Sequence, residues 1–151
     1  MKRCVLFSAL LLAAACGGSR PMPAGDAGTP VASPTEVVTE FMQSVADSNL
    51  TRMGQLWGTA RGSAAVTGEP ARWREQVVVM QLYLRGGTSR VTGNVAGMGA
   101  ADRRDITLEL VRGGCTKQIP FTVLRLAGGG WLVTNVDISR AGNPARPCGV
   151  S

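Results

Sequence analysis

Histidine is absent from the 151 residues. That removes imidazole from each role it usually fills: general base of a nucleophilic triad, metal ligand, switch near neutral pH. Aromatic residues are scarce, with three Trp, three Phe and one Tyr. Carboxylates number ten, so acid–base chemistry has few places to reside. No glycine-rich loop runs from a strand into a helix, as phosphate cradling requires. Gly86-Gly87, Gly97-x-Gly99, Gly113-Gly114 and Gly128–Gly130 read as turns instead. No apolar run reaches the roughly 20 residues of a membrane-spanning helix. Nothing in the composition implies a cofactor or a metal.

What is present in quantity is Arg, Ala and Gly. Lys and Arg together count 16 against 10 Asp and Glu, a formal charge of +6. Without Lys2 and Arg3 of a leader the balance is 14 to 10, or +4. The arginines are scattered and no run exceeds two. Nucleic-acid binders concentrate charge on one face, often with interleaved aromatics, so no nucleic-acid partner is expected. A mildly basic, solvated surface accounts for the distribution. The length fits one domain.

The start of the chain, MKRCVLFSALLLAAAC, has a positive pair followed by an apolar run from Cys4 to Ala15, broken only by Ser8. It matches a secretory leader. The stretch Leu12-Ala13-Ala14-Ala15-Cys16-Gly17-Gly18-Ser19 resembles the lipobox of bacterial lipoproteins. That pattern runs roughly Leu, small, small, Cys; here Ala13 takes the usual Leu position and Leu12 lies one earlier. The resemblance implies cleavage before Cys16, diacylglycerol on its sulfur and, in many bacteria, acylation of the new amine. Multiple acyl chains anchor stably where one is marginal. The expected location is the bacterial cell envelope, on the outer membrane or a periplasmic face, with the membrane as partner through Cys16. An ordinary secretory peptide leaving a free Cys16 stays open on the residues alone.

Domain boundaries follow: residues 1–15 as signal peptide, 16–33 as tether, 34–151 as folded domain. The tether, rich in Gly, Pro, Ala, Ser and Thr, lacks apolar periodicity and cannot offset its ordering entropy by burial. Within the domain, Ser33-Pro34-Thr35-Glu36 opens a helix with a cap, a first-turn proline and a capping-box glutamate. Val37, Val38, Phe41, Met42 and Val45 share its apolar stripe. Asn49 caps a short second helix carrying Leu50, Met53, Leu56 and Trp57. Gly58 to Gly68 reads as loop. Glu69-Pro70 opens a third helix, with Trp73, Val77, Met80 and Leu84 on one face and Gly86-Gly87 as its stop.

After Gly87 the period changes to two. Strands are expected at about 88–97, 104–112, 117–127 and 131–139, joined by Gly-containing hairpins. Asp102-Arg103-Arg104-Asp105 reads as a charged hairpin tip. The fold class is α+β: three N-terminal helices packed on an antiparallel sheet of about four strands. The opening helix ending in Ala-Asp-Ser, the Leu-x-x-Met-x-x-Leu-Trp helix, the third helix and a meander closing on Gly130-Trp131-Leu132-Val133-Thr134-Asn135-Val136-Asp137-Ile138 resemble the NTF2-like (cystatin-like, SnoaL-like) superfamily over about residues 34–140. The resemblance implies a curved sheet wrapped around the helices as a cone-shaped pocket, and it leaves a homodimer through the open sheet face as an option.

If Cys4 leaves with the leader and Cys16 carries lipid, Cys115 and Cys148 remain. An isolated pair in an exported chain reads as a disulfide, here stapling the C-terminal tail. A redox or metal pair would want a C-x-x-C spacing or further ligands. Trp57, Tyr83 and Trp131, with Asp137 on the last strand, are the pocket candidates; the simpler reading takes the aromatics as core and Asp137 as a solvated strand residue. The expected function is a lipid-anchored envelope protein, non-catalytic, that binds a small apolar ligand or an envelope partner protein. The alternative is a histidine-free SnoaL-type isomerase or hydrolase with Asp137 as general base.

Overall fold

A computed structural model describes residues 28–99 and 101–148. The leader, Cys16 and residues 17–27 of the tether lie outside the described residues. Helix α1, Pro34–Ala46, starts where the residues direct it. The Ser33 hydroxyl accepts the Glu36 N–H at 3.1 Å, and Pro34 occupies the first turn. Val37, Val38, Phe41, Met42 and Val45 are buried along one face. Asp47 closes the helix and accepts from the Gln43 amide. Asn49 then caps α2, Leu50–Leu56, its side chain accepting the Arg52 N–H at 2.9 Å.

Two expectations about the helices need correction. The stretch from Gly58 to Gly68 is not a plain loop. It forms a minimal hairpin, β1 (Gly58–Thr59) with β2 (Gly62–Ser63), and one helical turn, α3 (Ala64–Thr67). Gly68 ends that turn at φ +72°, a conformation that glycine adopts without penalty. The described residues therefore carry four helices before the main sheet, not three. Helix α4, Trp73–Leu84, begins beyond Pro70, because Arg72 takes a left-handed conformation that cannot belong to it. Val77, Met80 and Leu84 face the core, and the valine run stays helical.

The four strands are β3 (Thr88–Ala96), β4 (Arg103–Arg112), β5 (Cys115–Arg125) and β6 (Trp131–Val136). They form an antiparallel meander in the order β3-β4-β5-β6. Arg103 already belongs to β4, so the expected Asp102–Asp105 tip shrinks to Asp102. The last strand stops at Val136, and Ile138–Ala141 turns into a 3-10 helix. Gly113 and Gly114, both at positive φ, make the two-residue turn between β4 and β5.

Pleating sorts the two sheet faces. Ile106 pairs with Phe121 and Leu108 with Ile119 on the inner face, and all four are buried. Phe41 of α1 meets Phe121 edge to face, centroids 6.1 Å apart. Each such fully buried side chain contributes about 1.5–3 kcal/mol of transfer free energy. On the outer face, Arg90 donates to Glu109 at 2.7 Å, and Gln118 donates to the same carboxylate at 3.1 Å. Helices on one side and a polar ladder on the other make two layers.

The two edges differ. Val31 bridges Trp131 and Trp57 bridges Val133, so short flanking segments cover β6. β3 is the other edge, and its register shifts between Val91 and Gly93. Cys115 and Cys148 are joined as a disulfide, with Cα atoms 5.4 Å apart, tying the C-terminal segment to the start of β5.

Candidate functional site: the clefts flanking helix α4

The inner face of the sheet is filled by side chains from α1, α2 and α4. Clefts lie at the periphery, and two of them flank α4. The larger, about 800 Å³, sits between the C-terminal end of α4 and the segment after β6. Leu82, Tyr83, Arg85, Arg112, Ser139 and Asn143 are among its walls. The second, about 450 Å³, lies between α4 and β6, with Trp57, Val79, Met80, Val136 and Ile138 as its apolar walls. Ala71, Arg72, Glu75, Gln76, Thr134 and Asn135 complete its lining. A third, about 210 Å³, lies under the N-terminal strap beside Leu56, Trp131 and Leu132.

Between these two clefts, α4 presents an apolar stripe to solvent. Val78 is 47% exposed, Val79 42% and Leu82 43%. Val78 and Leu82 are one turn apart and share a helix face. The core side of the same helix is already occupied by Val77, Met80 and Leu84, so the outer stripe is surplus to folding.

Arg112 organises the larger cleft. It follows Ile106, Leu108 and Leu110 in the inner-face alternation of β4 and is only 7% exposed. One guanidinium nitrogen donates to the carbonyls of Tyr83 and Arg85, each at 2.9 Å; another donates to Ala141 at 2.8 Å. It thereby neutralises the carbonyl end of α4 and pins the 3-10 turn to it. Among the described residues no carboxylate pairs with it. Its Nε is buried without a partner, and burial lowers its pKa from the ordinary arginine value.

The chain matches no known family model, no curated protein sequence and no solved structure.

The pocket candidates fall apart in space. Trp57 lines the α4–β6 cleft, Tyr83 the Arg112 cleft, and Trp131 the cleft under the strap. Asp137 lines none of the three. Its N–H donates to Pro120 at 3.0 Å, and its carboxylate accepts from the Ser139 hydroxyl at 2.5 Å, just before the 3-10 turn. Trp57 is 7% exposed, so its ring serves the core as much as the cleft. Glu109, whose pKa is lowered chiefly by the Arg90 hydrogen bond, stands on the outer sheet face away from all three clefts. Among the described residues no group of His, Cys, Asp and Glu is placed to hold a metal, and no helix is long and apolar enough to cross a membrane. Arg112 went unnoticed in the sequence. The available signal was a cation continuing an apolar alternation, Ile106-x-Leu108-x-Leu110-x-Arg112.

Proposed function

We propose that the chain is a lipid-anchored protein of the bacterial envelope, held through Cys16, whose NTF2-like domain docks a partner protein on the α4 surface. The observation that carries the docking is the exposed Val78, Val79 and Leu82 stripe, flanked by clefts on either side. A monomeric surface rarely leaves such a row on a helix whose opposite side is fully used. The clefts widen the apolar area on both flanks, which suits a protein surface better than an enclosed small ligand. The order of helices followed by an antiparallel meander supports the NTF2-like reading, and the leader supports the anchor.

Two measurements test this. Intact mass of the full chain extracted from native membranes should equal residues 16–151 plus two or three acyl chains; an unlipidated mass rejects the anchor. A photo-crosslinking amino acid at Val78 should give a discrete protein adduct in cells, and the same group at Thr116 on the outer sheet face should not. Equal adducts at both positions, or none at Val78, reject the docking surface.

A further inference from the structure

The charges around the α4 stripe restrict the chemistry of what docks there, and we infer that the partner protein binds through an acidic, amphipathic segment: apolar side chains on Val78 and Leu82, and a carboxylate at either end. The inference rests on the docking reading above and names the occupant of that surface. At 100° per residue, Arg74, Arg85, Val78 and Leu82 fall within about 80° of one another around the helix. Along its length the strip therefore runs arginine, valine, leucine, arginine, and all four side chains are exposed. Glu75 borders the strip, but Arg72 holds its carboxylate, so those two charges offset each other. Arg74 and Arg85 form no ion pair among the described residues. Arg74 lies over the Trp73 ring, 4.6 Å from its centroid. Stacking occupies the flat face of a guanidinium and leaves its N–H edges to a carboxylate. The strip thus brackets an apolar centre with two uncompensated positive charges.

The Arg85 end opens on the larger cleft, whose wall also holds Arg112 and has neither Asp nor Glu. Asp137 stands outside that wall, accepting from the Ser139 hydroxyl. Arg112 has carbonyl partners only, and its Nε has none. Carbonyls are dipoles, so its buried charge lacks the counter-charge that an incoming carboxylate supplies. Arg74 and Arg85 lie about 16 Å apart along the helix axis. A partner helix meets that spacing with acids about three turns apart, and an extended segment with acids about five residues apart. A bilayer also combines apolar and anionic groups, but the Arg85 end is badly placed for one. Arg112 pairs with Cys115 at one end of β5, and Val31 of the strap bridges Trp131 at the other, opposite Arg125. β5 has 11 residues, so those ends lie about 33 Å apart. If the tether is the coil that its composition implies, Cys16 lies about 19 Å from Gly28, on the strap side. The Arg85 end is farther from the strap than that, which favours a protein over the bilayer.

The test uses the full chain with the photo-crosslinker at Val78, in cells and in vesicles of neutral phosphatidylcholine. The probe in vesicles is a synthetic helical peptide that repeats the spacing of the strip, with Glu at both charged positions and Leu at both apolar ones; its twin has Lys for Glu. The Glu peptide should give an adduct of chain plus peptide and half-saturate at a concentration about tenfold below its twin. This comparison needs no variant. The double variant Arg74→Glu with Arg85→Glu should reverse the preference. In cells the same double variant should lower the protein adduct at Val78 about tenfold, whereas Arg103→Glu on β4 should leave it unchanged. An unchanged thermal midpoint establishes that the variants fold. No preference for the Glu peptide, an adduct in cells that the double variant leaves unchanged, or an equal loss with Arg103→Glu overturns the acidic partner and leaves the docking surface standing. A lipid adduct at Val78 in place of a protein overturns it in favour of the bilayer. No adduct in cells above the Thr116 control overturns both readings.

Discussion

Replacing Arg112 by methionine removes three hydrogen bonds from one cation while keeping most of the side-chain volume. Bonds to a charged donor contribute about 1.5–3 kcal/mol each, so three would sum to about 4.5–9 kcal/mol if they were independent. Against this stands the desolvation of a buried guanidinium, worth several kcal/mol, which the variant recovers. The lowered pKa of Arg112 reflects that desolvation. The expected net loss is about 2–4 kcal/mol, because the carbonyls of Tyr83, Arg85 and Ala141 lose their partner where water enters poorly. For a domain of this size that lowers the thermal midpoint by about 4 °C per kcal/mol. Urea unfolding of the oxidised protein, followed by tryptophan fluorescence, measures the difference directly. Reduction of Cys115–Cys148 should cost the variant less than it costs the parent, because both devices hold the same tail. A methionine variant as stable as the parent would refute the reasoning. It would mean that desolvation and hydrogen bonding cancel at this site.

Three further outcomes are expected. Cys148→Ser removes a cross-link spanning a sequence separation of 33, which should lower stability by about 3–4 kcal/mol in the chain-entropy model, read as a shift in urea midpoint with and without reductant. Gly54→Ala places a Cβ 2.3 Å from Cζ3 of Trp73; the crowding outweighs the gain in helix propensity, so thermal unfolding should show a net loss of about 1–2 kcal/mol rather than a gain. Glu109→Gln tests the outer-face ion pair: a carboxylate held below its ordinary pKa stabilises above the unfolded value, about 4.3, and loses that contribution as pH falls through the folded value. The urea midpoints of parent and Glu109→Gln should therefore differ at pH 7 and converge at pH 3, and a gap of equal size at both would contradict the ion-pair account.

The sheet was legible because strict alternation survives in its two central strands. Ile106, Leu108 and Leu110 mark one face of β4, as Ile119, Phe121 and Val123 do for β5, and all six are buried. Helix α1 was legible because its start has three local signals and its stripe is long. The segment from Gly58 to Gly68 was not, since two-residue strands and a single helical turn have no period to detect. The start of α4 was misplaced because a proline usually opens a helix, and nothing local announces the left-handed Arg72. The clefts were harder still. Residue type placed Trp57, Tyr83 and Trp131 together, yet each sits on a different element and faces a different gap. Arg112 finds its carbonyl partners 27 and 29 residues away, on both sides along the chain. Only the folded chain brings those segments to one point.

The register shift at Thr92 has a consequence for crowded conditions. β3 is an edge strand of nine residues, with Arg90 as its only charge and no proline. A flat edge of that composition would template the addition of further strands and invite fibre growth. The irregularity divides it into Thr88–Val91 and Gly93–Ala96, which are out of step with each other. An incoming strand can follow one half or the other, and neither is long enough to hold it. The irregularity at Thr92 and the charge of Arg90 thus both work against strand addition along this edge.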